Sequence, residues 1–176
     1  GRTGPCTKAI IDAGISRVVV GVTDPDEQVS GRGIAALQDA GITVDVGVWA
    51  EEVRAQLAPY LHHRRTKRPY VILKMASTVD GRTSAADGTS QWITGEDARR
   101  RVHELRAESD AILVGAGTVR ADNPYLTVRG VVGPSPRRVV LGKIDAGAHV
   151  HPCLEFSGEL TDLLDTLGSQ GVLQLL

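Results

Sequence analysis

The residues of this sequence that could do chemistry together begin with a basic stripe. Arg99, His103 and Arg106 lie at positions i, i+4 and i+7 of a predicted helix, so their side chains share one face. Guanidinium groups that converge on one point can bind a phosphate through charge-assisted, often bidentate hydrogen bonds. Most arginine side chains are instead solvated charges, and the sequence leaves both interpretations open.

The segment before this helix has the pattern of a strand that presents polar residues to a ligand. The alternation turns Val71, Leu73 and Met75 toward a predicted core, and Lys74 and Ala76 toward the other side. Lys74 could then reach a ligand, or it could extend to solvent at the edge of a sheet.

Two glycine turns and an aromatic residue follow that strand. Asp80 precedes Gly81 and is a possible proton relay, although an aspartate before a glycine is more often part of a turn. Trp92 follows a second turn at Gly88. Its ring could contact a ligand, or it could anchor the core.

The helix that carries the basic stripe is predicted from its start and its apolar spacing. Thr94 stands before it, with Asp97 in the capping-box position. Ala98, Val102 and Leu105 form the stripe that we expect to be buried.

A second candidate anion site follows the apolar strand predicted at residues 110–114. Gly115 and Gly117 precede Thr118, where a phosphate could approach the start of a helix closely. The complete dinucleotide fingerprint is absent, because Arg120 stands where its third glycine belongs.

Candidate metal ligands are few. Cys6 could ligate zinc as part of a larger set, or it could be a small buried residue of a helix. His149, His151 and Cys153 are close in sequence, but no fourth ligand is near them and they fall in a predicted loop. We therefore expect this chain to bind no stoichiometric zinc.

The elements that would position these residues follow an α/β order. The first part of the chain alternates helices with short strands, which implies parallel pairing, and ends in one helix over residues 50–62. A basic segment at residues 62–69 ends in a proline and is the predicted linker between two domains, residues 1–66 and 67–176. The second domain is predicted to contain strands at residues 110–114, 137–141 and 171–176 and a helix at residues 160–167.

Composition limits the partners and the compartment. The 176 residues carry 20 lysines and arginines against 21 aspartates and glutamates, so no large basic field favours a nucleic acid. The sequence has no apolar run of about eighteen residues and no apolar leader, which predicts neither a membrane span nor secretion. With two cysteines far apart in sequence, we expect a cytoplasmic protein that acts on small molecules.

Both ends of the chain are expected to be cut. Residues 171–176 form an apolar strand with nothing polar after it, and the first predicted helix begins at Cys6 without a strand before it. We therefore expect a fragment.

Several ordered motifs resemble the RibD family of bifunctional riboflavin biosynthesis proteins. They are GRTGPC at residues 1–6, DPDEQVSGRGIAALQDAGI at 24–42, LKMASTVDGRT at 73–83, SQWITG at 90–95 and LRAESDAILVGAGTVRADNPYLTVR at 105–129. The resemblance implies an α/β fold: the tail of a cytidine-deaminase-like three-layer domain, followed by a dihydrofolate-reductase-like domain with a mixed, mostly parallel sheet. It also implies that the whole protein deaminates a phosphorylated pyrimidine with zinc and then reduces its ribosyl side chain to ribityl with NADPH, as a homo-oligomer such as a dimer.

The resemblance assigns site residues by position. The implied cofactor contacts are Ala76, Trp92, Thr118, Asp122 and Lys143, the last being a departure from the small polar residue usual in the family. The implied substrate contacts are Lys74, Ser90, Arg106, Leu126 and Arg129. Cys6 resembles one zinc-ligating cysteine, but the other ligands would precede residue 1, so this chain by itself is not expected to deaminate.

Two other hypotheses stay open at this point. The chain could belong to a monofunctional reductase of the same superfamily that acts on a folate or another phosphosugar, with a first domain that is only structural. It could also be a non-catalytic homologue that serves as a dimerisation module.

Overall fold

The computed structural model describes residues 5–26, 29, 31–86, 88, 89 and 92–176 of the chain. The chain divides into two compact units, Gly1–Thr66 and Lys67–Leu176. No helix among the described residues is both long and apolar enough to cross a membrane.

The Gly1–Thr66 unit alternates helices with two short strands. Its helices are α1 (Cys6–Asp12), α2 (Arg32–Asp39), α3 (Ala50–Gln56) and α4 (Ala58–Thr66), and its strands are β1 (Arg17–Val20) and β2 (Thr43–Val46). The two strands pair in parallel, with Val18 opposite Val44, which confirms the pairing predicted from the alternation of helices and strands.

Two helices, α3 and α4, replace the single helix predicted over residues 50–62. Pro59 has no backbone N–H and is tolerated only in the first turn of a helix, so the chain begins a new helix there. Because α4 continues to Thr66 and buries His63, the linker predicted at residues 62–69 is wrong in its first half.

The Lys67–Leu176 unit contains a five-stranded sheet. Its strands are β3 (Tyr70–Val71), β4 (Ala111–Gly115), β5 (Arg137–Leu141), β6 (Leu154–Phe156) and β7 (Gln174–Leu175), and its helices are α5 (Glu96–Glu108), α6 (Ala116–Asp122) and α7 (Leu160–Ser169). The strand order is β3-β7-β4-β5-β6. Every strand pair of the described residues is parallel, so the mixed sheet expected from the resemblance is not seen there.

Two apolar clusters cover the central strands of this unit. The α7 cluster is Ala111, Val139, Leu163, Leu167, Val172 and Leu175, and the α6 cluster is Ile112, Ala116, Val119, Leu126, Val140 and Val150. Neighbouring residues of β4 and β5 join opposite clusters, because side chains alternate along a strand. Burial on both faces explains why β4 is a continuous apolar run. Strand β5 begins with Arg137 and Arg138 and is apolar only from Val139 to Leu141. The prediction of both strands from the sequence is confirmed.

Strand β3 is much shorter than the strand predicted at the start of this unit. Tyr70 and Val71 alone pair with β7, which is itself two residues long. Val71, Leu73 and Met75 were expected in the core, but their exposed fractions are 51%, 82% and 66%. β3 lies at the edge of the sheet, and no buried cluster of the described residues includes these side chains.

Helix α5 buries less than its apolar spacing predicts. Gly95 is its N-terminal cap and makes no side-chain capping bond, so the capping box predicted at Thr94 is wrong. Ala98 is exposed, and Val102 and Leu105 are only half-buried. Polar and basic side chains of α5 instead form hydrogen bonds with the backbone of the loop that follows α6.

Two elements of this unit have no clear signal in the sequence. Helix α6 directly follows Gly115 and contains Gly117, and glycine is among the poorest helix formers. Strand β6 is three residues long, too short to show an alternating pattern.

Candidate active site

A cleft of about 950 Å³ lies within the Lys67–Leu176 unit. Its wall is formed by the segment after β3, by α5 and the residues just before it, and by the end of α6 with the loop that follows. One further residue comes from the loop before β6. This volume is in the range of sites that hold small molecules and cofactors.

Three cations of this wall form no ion pair with a carboxylate of the described residues: Lys74, Arg106 and Arg129. Desolvation of its ammonium group lowers the pKa of Lys74, and the charge of Arg106 lowers it further. Burial, and then the charge of Arg129, lowers the pKa of Arg106. The fold therefore holds positive charges that repel one another in one cleft, and a bound anion would relieve that repulsion.

Arg106 is held from one side only. Its Nη1 donates a hydrogen bond to the carbonyl oxygen of Thr127 at 3.0 Å. Its Nε is buried and has no hydrogen-bond partner among the described residues. A buried donor without a partner costs about 1–3 kcal/mol, so this atom is placed to donate to a bound acceptor.

His103 is held next to these arginines as a hydrogen-bond acceptor. The backbone N–H of Arg129 donates to its Nδ1 at 3.1 Å. Burial, and then the charges of Arg106 and Arg129, lowers the pKa of His103, while a bond with the Thr127 carbonyl acts in the opposite direction. The ring is therefore neutral at neutral pH, and with Nδ1 as acceptor its proton is on Nε2.

Trp92 lies at the surface of the cleft and does not anchor the core. Its side chain is 72% exposed. The guanidinium group of Arg99 lies over the indole ring, 4.5 Å from its centroid, and also donates to the carbonyl oxygen of Thr94. This cation–π contact favours the orientation that the exposed ring adopts.

Tyr125 and His149 form part of the wall; the sequence assigned Tyr125 to no site and considered His149 only as a metal ligand. Their rings are stacked, with centroids 4.3 Å apart and an interplanar angle of 7°. His149 also donates its backbone N–H to Oδ1 of Asn123 at 2.8 Å. No spacing rule connects residues so far apart in sequence, so only the fold brings them together.

Comparisons with known proteins decide the family. Residues 69–146 match the RibD C-terminal domain. A riboflavin biosynthesis protein RibD from Chlamydia muridarum is 48% identical over 145 residues, which is 80% of this chain. The chain belongs to the RibD family.

Two solved RibD structures share the fold. The Acinetobacter baumannii RibD superposes with a TM-score of 0.90 at 33% identity, covering 99% of this chain and 58% of that one. A Thermotoga maritima protein described as a diaminohydroxyphosphoribosylaminopyrimidine deaminase/5-amino-6-(5-phosphoribosylamino)uracil reductase superposes with a TM-score of 0.87 at 36% identity, covering 99% and 57%. This chain spans 39% of the length of the Chlamydia RibD.

The cofactor contacts implied by the RibD resemblance separate into two groups. Ala76, Trp92 and Asp122 line the cleft. Thr118 is exposed on α6, and Lys143 follows β5 with its Nζ 3.8 Å from a carboxylate oxygen of Glu155; neither lines the cleft. The fold therefore brings together the first group only.

The RibD substrate contacts are more concentrated. Lys74, Arg106, Leu126 and Arg129 all line the cleft, and Ser90 lies outside the described residues. Leu126 is buried and has a φ of 56°, a conformation that is rare for a leucine. Its burial attaches the start of the loop that carries Arg129 to the α6 cluster.

Asp80 occupies an exposed turn, and it is not among the residues that line the cleft. Its carboxylate accepts a hydrogen bond from Oγ1 of Thr78 and lies 3.1 Å from Nε of Arg82. The bond from Thr78 is the main reason that its pKa is lowered, so the group is ionised at neutral pH. This geometry favours the turn interpretation over a proton relay.

The candidate metal ligands form no metal-binding group among the described residues. Cys6 is an exposed free thiol at the first residue of α1. Sγ of Cys153 lies 3.5 Å from Nδ1 of His151, and burial raises the pKa of this thiol. No group of three histidine, cysteine or acidic residues among the described residues could hold a metal ion. Zinc ligation by Cys6 therefore stays a prediction about a longer protein.

Proposed function

We propose that the Lys67–Leu176 unit is part of an NADPH-dependent reductase of riboflavin biosynthesis that acts on a phosphorylated pyrimidine. The observation that carries this proposal is the group of three cations, Lys74, Arg106 and Arg129, in one cleft without a carboxylate partner among the described residues. A 5-amino-6-(5-phosphoribosylamino)uracil reductase is among the structural relatives, and its substrate carries such a phosphate.

The phosphate is the part of the substrate that this cleft would recognise. Two guanidinium groups and an ammonium group can surround a dianion, and charge-assisted bonds are about twice as strong as neutral ones. The buried Nε of Arg106 would gain the acceptor that it lacks in the protein alone. The cations would thus hold the ribose end of the substrate through its phosphate, with Lys74 nearest to the sugar. The rest of the wall would then orient the base.

The residues present fit the reactive end of NADPH in part. Ala76 leaves room beside the cleft, the exposed ring of Trp92 offers an apolar face, and Asp122 offers acceptor oxygens for a hydroxyl or an amide. When bound, NADPH supplies a hydride. We assign the nicotinamide end to Ala76, Trp92 and Asp122, and Thr118 and Lys143 stay predictions for the remainder of the cofactor.

The wider RibD activity rests on the family alone. The Gly1–Thr66 unit would be the tail of a cytidine-deaminase-like domain that holds zinc through Cys6 and residues of a longer chain. The second unit would be the first part of a dihydrofolate-reductase-like domain. A homodimer in the cytoplasm is the expected state of the whole protein.

The test is NADPH consumption by the longer protein that contains this chain, with 5-amino-6-(5-phosphoribosylamino)uracil as substrate, measured as the loss of NADPH absorbance. The matched control is the same compound without its 5′-phosphate. We expect consumption with the phosphorylated compound only. No consumption, or equal consumption with both compounds, contradicts the proposal, and consumption with a dihydrofolate instead favours a monofunctional reductase of the same superfamily.

A further inference from the structure

The loop that carries Arg129 has no support from regular structure. Within the part of the chain that the structure describes, residues 124–136 make no hydrogen bond from backbone to backbone. Gly130 and Gly133 have φ values of 71° and 151°, whereas residues of a strand have negative φ values, so the backbone of this loop is not that of a strand. The position of Arg129 in the cleft therefore depends on hydrogen bonds between side chains and the backbone of the loop.

Three side chains supply that support, one for each of three consecutive loop residues. Arg106 donates to the carbonyl oxygen of Thr127, and Oγ of Ser135 accepts from the N–H of Val128 at 3.0 Å. The third bond is the one from the N–H of Arg129 to Nδ1 of His103. Among the described residues, His103 is thus the side chain that bonds the backbone of Arg129 itself.

The charge of the ring decides whether this bond can exist. A protonated imidazole has no acceptor nitrogen, so it could not receive the N–H of Arg129. It would also place a further positive charge beside Arg106 and Arg129. Burial and these two guanidinium groups both favour the neutral ring, in agreement with its acceptor role.

We propose that His103 is a positioning residue of the anion site: its neutral ring anchors the backbone of Arg129 and so fixes the second guanidinium group of the cleft. The inference rests on the proposed function, because it assigns Arg129 to the phosphate. Without the anchor, the bonds at Thr127 and Val128 remain, but none holds the backbone of Arg129 itself, and repulsion from Arg106 displaces this exposed arginine. Binding of the phosphate must then restore the position of Arg129, and this ordering reduces the binding free energy.

The experiment is a double-mutant cycle that measures the affinity for ribose 5-phosphate by calorimetry. His103→Leu removes the acceptor, and we expect binding to weaken about fivefold to tenfold, the worth of one net hydrogen bond. In an Arg129→Ala background the same change should have an effect of less than about twofold, because the residue it positions is gone. Equal weakening in both backgrounds overturns the proposal.

Two conservative variants separate positioning from general packing. His103→Asn keeps an acceptor oxygen close to the place of Nδ1, and we expect it to bind ribose 5-phosphate within about twofold of the wild type. His103→Gln is also polar but carries its acceptor one bond further out, so it should bind as weakly as His103→Leu. If asparagine and glutamine behave alike, the acceptor position does not matter and the proposal fails.

Hydrogen exchange at the backbone amide of Arg129 provides a readout without any ligand. We expect slow exchange in the wild type and in His103→Asn, and faster exchange in His103→Leu and His103→Gln. Unchanged exchange in all variants overturns the anchor. If the wild type binds no ribose 5-phosphate, the proposed function fails, while the exchange rates still decide the role of His103.

Discussion

The α7 cluster and the cation-lined cleft belong to the same unit but are built from opposite interactions. In the α7 cluster, Val139, Leu163 and Leu167 are fully buried among other apolar side chains. In the cleft, Arg106 of α5 repels Arg129, which lies on a loop that makes no backbone-to-backbone hydrogen bond among the described residues. The contrast indicates that the cluster stabilises the fold, whereas the cleft stores repulsion that a ligand relieves. Mutations in the two regions should therefore affect different measurements.

The largest expected effect on stability is in the α7 cluster. Leu163→Ala removes a fully buried side chain and leaves a cavity, so the free energy of unfolding should fall by about 2–5 kcal/mol. The affinity of the folded protein for ribose 5-phosphate should stay unchanged. Denaturant titration measures the first quantity and calorimetry the second.

A control on the same helix is Leu160→Ala, because Leu160 is 48% exposed and should change stability by no more than about 0.5 kcal/mol. If Leu163→Ala weakened ribose 5-phosphate binding tenfold in fully folded protein, the two regions would not be separate.

An intermediate effect is expected at Trp92, on the wall of the cleft. Trp92→Phe should weaken NADPH binding by about threefold to tenfold, since a smaller ring loses part of its stacking and of its contact with Arg99. The melting temperature should hardly change, because the side chain is exposed. Trp49, with the same exposed fraction of 72%, is the matched control, and Trp49→Phe should change neither quantity. A large drop in melting temperature with unchanged NADPH affinity would show that Trp92 contributes to the core and not to the cofactor site.

The smallest effect is a pH dependence of stability from His103. Its pKa in the folded protein is lowered below 6.5, so the unfolded chain binds a proton at a higher pH than the folded one. The contribution of the neutral ring is present above about pH 6.5 and is lost as the pH falls through the lowered pKa. Denaturant titrations between about pH 6.5 and the lowered pKa should show a fall in the free energy of unfolding of the wild type. This fall should be absent in His103→Asn. An identical loss in both proteins would contradict the assignment to His103.

The sequence predicted the core of the sheet better than its edge. Strand β4 is apolar without interruption because both of its faces are covered, and this signal depends on local composition alone. The alternation that placed Leu73 and Met75 in a core assumed a covering partner, which the described residues do not supply. Whether a face is covered is a tertiary property, so periodicity could not decide it.

The candidate site also combines features that local sequence predicts with features that depend on the tertiary structure. Helical periodicity put Arg99, His103 and Arg106 on one stripe, and all three line the cleft, because a helix fixes their spacing. The stacking of Tyr125 on His149 and the anchor from His103 to the loop depend on chain segments that meet only in the folded unit. No local pattern contains that information.

The central claim is that the three cations of the cleft bind a phosphate, and Arg106 tests it most directly. Calorimetry with ribose 5-phosphate should show that Arg106→Ala weakens binding by about 30-fold or more, since losing one partner of a desolvated charge pair costs roughly 2–5 kcal/mol. Arg106→Lys should recover only part of the loss, because an ammonium group cannot reproduce the planar guanidinium.

The control is Arg101→Ala on the same helix, where the arginine pairs with Glu104 and Glu108, and it should change binding by less than about twofold. NADPH affinity should stay unchanged in all three variants. An Arg106→Ala protein that binds ribose 5-phosphate as tightly as Arg101→Ala, or that loses NADPH binding instead, would contradict the claim.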